Sequence, residues 1–177
     1  NLARMLVHGT TTVEAKSGYG LETAEELREL RILRHLGQEM PLDLVLTFLG
    51  AHAIPEEYSG RSTEYLDLVV NEMLPLVARE GLAEWVDVFC ERGAFNLEEA
   101  RRVLEAGRRL GLGVRIHAEE FSYLGGARMA AELGALSADH LQNLPASDFA
   151  ILREAGTIPV MTPGTSFFLG QGHYAPA

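Results

Sequence analysis

Lysine is almost missing from this chain: Lys16 is the only one among its fifteen basic residues. No basic cluster offsets a formal charge of −10, so the surface would repel nucleic acid and anionic membrane. Cysteine is just as scarce. Cys90 stands alone, which excludes an internal disulfide framework and fits a reducing cytoplasm. No apolar run approaches the ~20 residues that cross a bilayer, and the opening Asn1–His8 stretch lacks the basic flank and apolar segment of a secretory signal. The Arg-rich, Lys-poor balance reads as the mark of a high-GC genome rather than of a function. A small-molecule partner is the remaining expectation.

Short β-branched runs alternate with longer amphipathic stretches. Strands are expected at 10–16, 44–49, 85–90, 114–118, 135–140 and 157–161. Helices are expected from Thr23, opened by a Thr23/Glu26 capping box, from Ser62 to Arg79, from Asn96/Glu99 to Leu110, around Gly126–Leu133, and from Pro145/Ser147 to Glu154. Strands that alternate with helices and read as near-continuous apolar runs build a parallel sheet. A doubly wound sheet and a (β/α) barrel both satisfy that pattern. Pro159 removes a ladder donor and belongs near a sheet edge or bulge.

Functional groups of parallel sheets gather at the C-terminal strand ends, and the polar residues follow that rule. His52, His117 and His140 fall at three such ends, with Glu91, Glu119, Glu120 and Asp139 nearby. Imidazole is a common ligand for zinc and related metals, and His117 with Glu120 three positions on is the strongest case. Neighbouring strand residues point to opposite faces, so of Asp139 and His140 only one is expected to enter the site, and His140 is the choice. Arg115 shares the parity of His117 and sits awkwardly in a barrel interior. His8 and His35 read as solvated or packing residues, Cys90 as a core residue, and His173 as a possible border of the site. The glycine pairs at 18/20 and 125/126 form no phosphate-binding fingerprint.

Six segments carry a resemblance: Thr11–Leu21 (TTVEAKSGYGL), Phe48–Ala53 (FLGAHA), Asp87–Glu91 (DVFCE), Ile116–Phe121 (IHAEEF), Ser137–Leu141 (SADHL) and Pro163–Leu169 (PGTSFFL). In this order they closely resemble the imidazolonepropionases of the amidohydrolase superfamily. The resemblance implies a cytoplasmic hydrolase of histidine degradation, which opens the ring of 4-imidazolone-5-propanoate to N-formimidoyl-L-glutamate with one zinc or iron ion. It implies His117 as a metal ligand, and Glu120 as a substrate contact and proton shuttle. It further implies His140 as the residue steering water or stabilising developing charge, and Tyr19 and His52 as substrate-binding residues.

The same resemblance implies an α/β fold, a (β/α)8 TIM-type barrel, of which residues 1–177 are strands two to seven. The family's His-x-His pair, the arginine for the propionate and the eighth-strand aspartate have no counterpart here. The first and eighth strands and the small β domain would therefore lie outside an incomplete barrel domain. A typical barrel needs ~250 residues, so the piece alone is expected neither to hold the metal tightly nor to turn over substrate. A tendency towards homodimers is implied as well. Another amidohydrolase acting on a cyclic amide or amidine, and a non-catalytic barrel fragment, are the competing expectations.

Overall fold

The chain alternates strand and helix from end to end in a computed structural model that describes residues 1–172; His173 lies outside them. The elements are α1 (Leu2–Val7), β1 (Thr12–Lys16), α2 (Thr23–Glu39), β2 (Asp43–Ala51), α3 (Ser62–Leu68), α4 (Leu74–Glu80), β3 (Trp85–Cys90), α5 (Leu97–Arg109), β4 (Gly113–Ala118), α6 (Gly126–Glu132), β5 (Ser137–His140), α7 (Phe149–Ala155), β6 (Ile158–Val160) and α8 (Pro163–Phe168). All strand pairs are parallel, and each strand lies beside its sequence neighbour, in the order β1-β2-β3-β4-β5-β6. A doubly wound sheet reverses its strand order at a switch point. No reversal occurs among the described strands. The fold is α/β of the (β/α) barrel type, represented by six parallel strands curled into a half-barrel.

One face of the sheet makes the core. Leu46, Phe48, Val86, Val88, Cys90, Val114, Ile116, Ala118 and Ala138 are buried in one apolar cluster with helix residues such as Leu30, Leu66, Val103, Leu104 and Met129. The other face is polar, so the expected near-continuous apolar runs hold for one side only. β-pleating sends alternate residues to the two sides. Glu14, Lys16, Thr47, Asp87, Arg115, His117, Ser137 and Asp139 contact one another across the concave face. Arg115 is thus at home inside the half-barrel: its Nε lies 3.2 Å from Glu14 Oε1, Nη1 donates to Ser137 Oγ at 3.1 Å, and the guanidinium stacks over Trp85.

Local signals decide the helix ends. The capping box of α5 forms as expected, with Asn96 Oδ1 accepting from the Glu98 and Glu99 amides and Glu99 reaching back to the Asn96 amide. The box expected at α2 does not form. Glu22 is its N-cap residue without a side-chain bond, and Glu26 accepts instead from the amide of Leu21 at 2.9 Å, holding the loop after β1. The single helix expected over 62–79 is divided by a π turn at Val69–Met73. Pro75, in the first turn of α4, has no N–H to give back to the preceding turn. Pro159 lies in β6, at one edge of the described six-stranded sheet, and its missing N–H removes no bond between the described strands beyond the β5 ladder.

Candidate metal and substrate site

The concave floor is a charge network spanning the half-barrel. Lys16 Nζ contacts Asp87 Oδ2 at 2.6 Å, Asp139 Oδ2 at 3.1 Å and Glu14 Oε1 at 3.1 Å. Asp87 is fully buried, and its Oδ1 accepts the amide of Val88 at 2.7 Å. His117 Nδ1 lies 2.9 Å from Asp87 Oδ2, off the line of a straight hydrogen bond. Burial disfavours every one of these charges, yet their mutual attraction prevails at three of them. Burial would lower the pKa of Lys16 and of His117, but the neighbouring carboxylates raise both. Burial would raise that of Asp87, but His117 and Lys16 hold it well below the usual carboxylate range. Asp139 goes the other way, raised by burial against the pull of Lys16.

Above this floor the strand ends form a chain of rings. Centroids are 5.2 Å apart for Tyr19 and His52, 6.4 Å for His52 and His117, and 5.0 Å for His117 and His140. Phe89 stands within 6.3 Å of both His52 and His117. His52 Nδ1 lies 2.9 Å from the carbonyl of Gly18. A carbonyl only accepts, so Nδ1 carries the proton and the Nε2 lone pair is free for the site. Gly18 adopts φ +116°, and a Cβ there would stand 2.7 Å from the Leu49 carbonyl and 3.1 Å from His52. Only glycine permits this approach.

Glu120 is buried, with Oε1 3.5 Å from His140 Nδ1. Burial raises its pKa, opposed by His117 and supported by Glu91. Burial, with the charge of His117 nearby, lowers His140 to about 4, so its ring is neutral near pH 7. Thr162 Oγ1 lies 2.9 Å from the same Nδ1.

All five residues singled out from the sequence, Tyr19, His52, His117, Glu120 and His140, thus border one mouth. Strict alternation does not hold at Asp139 and His140. Asp139 faces the floor with Lys16, while His140 also reaches the mouth, because its backbone leaves the pleat at φ +81° and Leu141 follows at φ +64°. Sequence reasoning also missed Lys16 and Asp87. For Lys16 the signal was present in the spacing: Glu14/Lys16, Arg115/His117 and Ser137/Asp139 are polar pairs two apart, the mark of one strand face, whereas Asp87 lies between Trp85 and Phe89 on its face and carried no such mark.

The walls carry carboxylates of another kind. Glu119, fully buried at φ +54°, accepts the amides of Leu124, Gly125, Gly126 and Ala127 at 2.8–3.3 Å. Glu91 accepts those of Arg92, Phe121 and Ser122. Asn143 donates its Nδ2 to the carbonyl of Glu120 at 2.9 Å. These bonds fix the loop that carries Glu120.

Asp87, His117 and Asp139 offer one ligand atom each within 4.8 Å of one another. One imidazole with two carboxylates suits a divalent ion in kind. Lys16 limits how. Its ammonium lies against one oxygen of each carboxylate, which leaves His117 as the ligand best free to serve.

No family model matches the chain. Individual relatives do. The imidazolonepropionase of Alkaliphilus metalliredigens is 52% identical over 177 residues, covering 100% of this chain and 42% of the relative. That of Symbiobacterium thermophilum is 53% identical, covering 99% and 42%, and that of Geobacillus kaustophilus 55% identical, covering 95% and 40%. The chain belongs to the imidazolonepropionase family. It spans about two fifths of the length of the imidazolonepropionases it matches. Among solved structures, a triazine hydrolase from Arthobacter aurescens superimposes with a TM-score of 0.68 at 15% identity, over 99% of this chain and 43% of that one. The ochratoxinase of A. niger gives 0.59 at 18% identity, over 94% and 44%. At such identities these likenesses establish the fold alone. No helix among the described residues is long and apolar enough to cross a membrane.

Proposed function

We propose that these residues are strands two to seven of a metal-dependent imidazolonepropionase, which hydrolyses 4-imidazolone-5-propanoate to N-formimidoyl-L-glutamate in the cytoplasm. The observation that carries this reading is the convergence of His52, His117, His140 and Glu120 on one mouth, in a chain about 50% identical to proteins of that name. On this reading the first and eighth strands and a small β domain complete the protein and supply the remaining ligands that a tetrahedral zinc or similar iron site needs.

His117 would hold the metal. When bound, a divalent ion polarises a ring carbonyl and makes hydroxide available near neutral pH. The chain's own residues supply positioning and proton transfer. Neutral His140 can accept a hydrogen bond from the attacking water, and Glu120, 3.5 Å from it, can take up the proton. A raised pKa suits Glu120 to give that proton on to the ring nitrogen as the C–N bond breaks. His52, with its Nε2 lone pair free, can accept an N–H of the ring, and Tyr19, largely exposed at the rim, can close over it.

The test uses the full-length protein. Loss of imidazolone absorbance with formation of formimidoyl-glutamate, and about one equivalent of zinc or iron in the purified protein, are the expected results. A protein that left imidazolonepropanoate untouched while deaminating a purine or pyrimidine would overturn the reading.

A further inference from the structure

Asp87 is placed to do something specific to His117. Nδ1 of His117 is buried and, among the described residues, makes no well-aligned hydrogen bond; the acceptor facing it is Asp87 Oδ2 at 2.9 Å. Asp87 cannot turn away, because both of its oxygens are engaged. Oδ1 holds the Val88 amide and Oδ2 holds Lys16 Nζ. Lys16 is held in turn by Asp139, whose other oxygen accepts from Ser137 Oγ at 3.1 Å. A carboxylate that already accepts from an ammonium has only acceptor capacity to offer the imidazole. With Asp87 able only to accept, the 2.9 Å contact favours the proton on Nδ1, and in the neutral ring the lone pair then lies on Nε2.

Asp87 and Asp139 are poor candidates for ligands themselves. The ammonium of Lys16 lies against one oxygen of each, and a divalent ion bridging the same oxygens would face a positive charge at short range.

We infer that Lys16 and Asp87 are positioning residues, a buried relay that locks His117 in the Nδ1–H tautomer and presents Nε2 to a divalent metal. The inference rests on the hydrolase reading for the presence of the metal, and on this chain's geometry for the roles. Carboxylates that orient a metal-binding imidazole contribute roughly 10–100-fold in affinity.

The experiment measures zinc affinity by chelator competition on the full-length protein, with thermal midpoints to confirm folding. Asp87→Asn and Lys16→Met are each expected to weaken zinc binding about 10–100-fold, and Lys16→Arg to recover most of the loss. The cobalt-loaded protein adds a reading that a merely structural role would not move: its visible absorption bands should shift in Asp87→Asn. The opposite sign in Lys16→Met decides between the roles. If Asp87 and Asp139 ligate the metal, removing the ammonium tightens zinc binding, and the inference is overturned. Wild-type affinity and unshifted cobalt bands in Asp87→Asn overturn it equally. Should Lys16→Met fail to fold, Asp87→Asn and Lys16→Arg still decide, Lys16→Arg by keeping near-wild-type affinity. Wild-type protein that binds zinc yet leaves imidazolonepropanoate intact breaks the hydrolase reading and leaves the relay standing; wild-type protein that binds no zinc removes both.

Discussion

The floor and the rim of the half-barrel solve the same problem in different ways. Both bury carboxylates. On the floor, Asp87 and Asp139 are balanced by Lys16 and His117, so charge meets charge and any ion entering must compete with one already there. At the rim, Glu91 and Glu119 are satisfied by backbone amides, which carry no net charge and cannot dissociate. Glu119 and Glu120 show the contrast between neighbours. The first accepts four amides and is frame. The second has no hydrogen bond from its carboxylate to any described residue and faces His140 across 3.5 Å. An acidic residue therefore reports on chemistry only once its partners are known. A carboxylate saturated by amides is structural, and one left short of partners beside a neutral imidazole is available for work.

Substitution can break that contrast most sharply at the Glu119/Glu120 pair. Glu120→Gln in the full-length protein should lower kcat about 10²–10⁴-fold, the usual scale for a lost acid–base group, with the thermal midpoint almost unmoved. Glu119→Gln should do the reverse. It leaves a buried amide group facing four N–H donors and should cost about 2–4 kcal/mol in denaturant unfolding, while kcat per folded molecule changes little. If Glu120→Gln destabilised the protein as much as Glu119→Gln, the division between frame and site would collapse.

A gentler probe is pH. His140 titrates near 4 when folded and near 6.5 when free, so between those values the unfolded chain binds the extra proton. Its contribution to stability is full above pH 6.5 and is lost as pH falls towards 4. Denaturant midpoints of the wild type should therefore drop across that window, and His140→Gln should flatten the drop. Smallest of all, Asn96→Ala removes a cap whose side chain accepts only from the Glu98 and Glu99 amides and should cost about 1 kcal/mol, with no effect on zinc affinity or turnover.

The sequence made the strand ends legible because hydrophobic periodicity survives in each unit, and it made α5 legible because Glu99 keeps one oxygen for the Asn96 amide while the other accepts from Ser62 Oγ, so the distant partner does not displace the cap. It failed where a side chain had a distant use. Glu26 fits a capping box by spacing, but the buried loop after β1 claims it for the Leu21 amide. Arg115 looked misplaced only because its partner Glu14 lies 101 positions away in the sequence. Lys16 shows no role in the sequence, since two of the three carboxylates that converge on it come from distant strands. The alternation that wrongly excluded Asp139 from the site depends on a strand staying pleated, and two successive left-handed residues at 140 and 141 are not written in any residue type there.

The reach of the Lys16 network has a kinetic side. Its bond to Asp139 joins residues 123 positions apart, and its bond to Asp87 joins residues 71 apart. Such contacts pay their loop-closure entropy before they return anything, which slows folding. Until β3 and β5 have joined the sheet and curled towards β1, the ammonium on the concave face has only Glu14 of its own strand for company, and burying it early would be costly. The floor should therefore stay wet through most of assembly and close last, so that the part of the protein made for chemistry is also the last to become native.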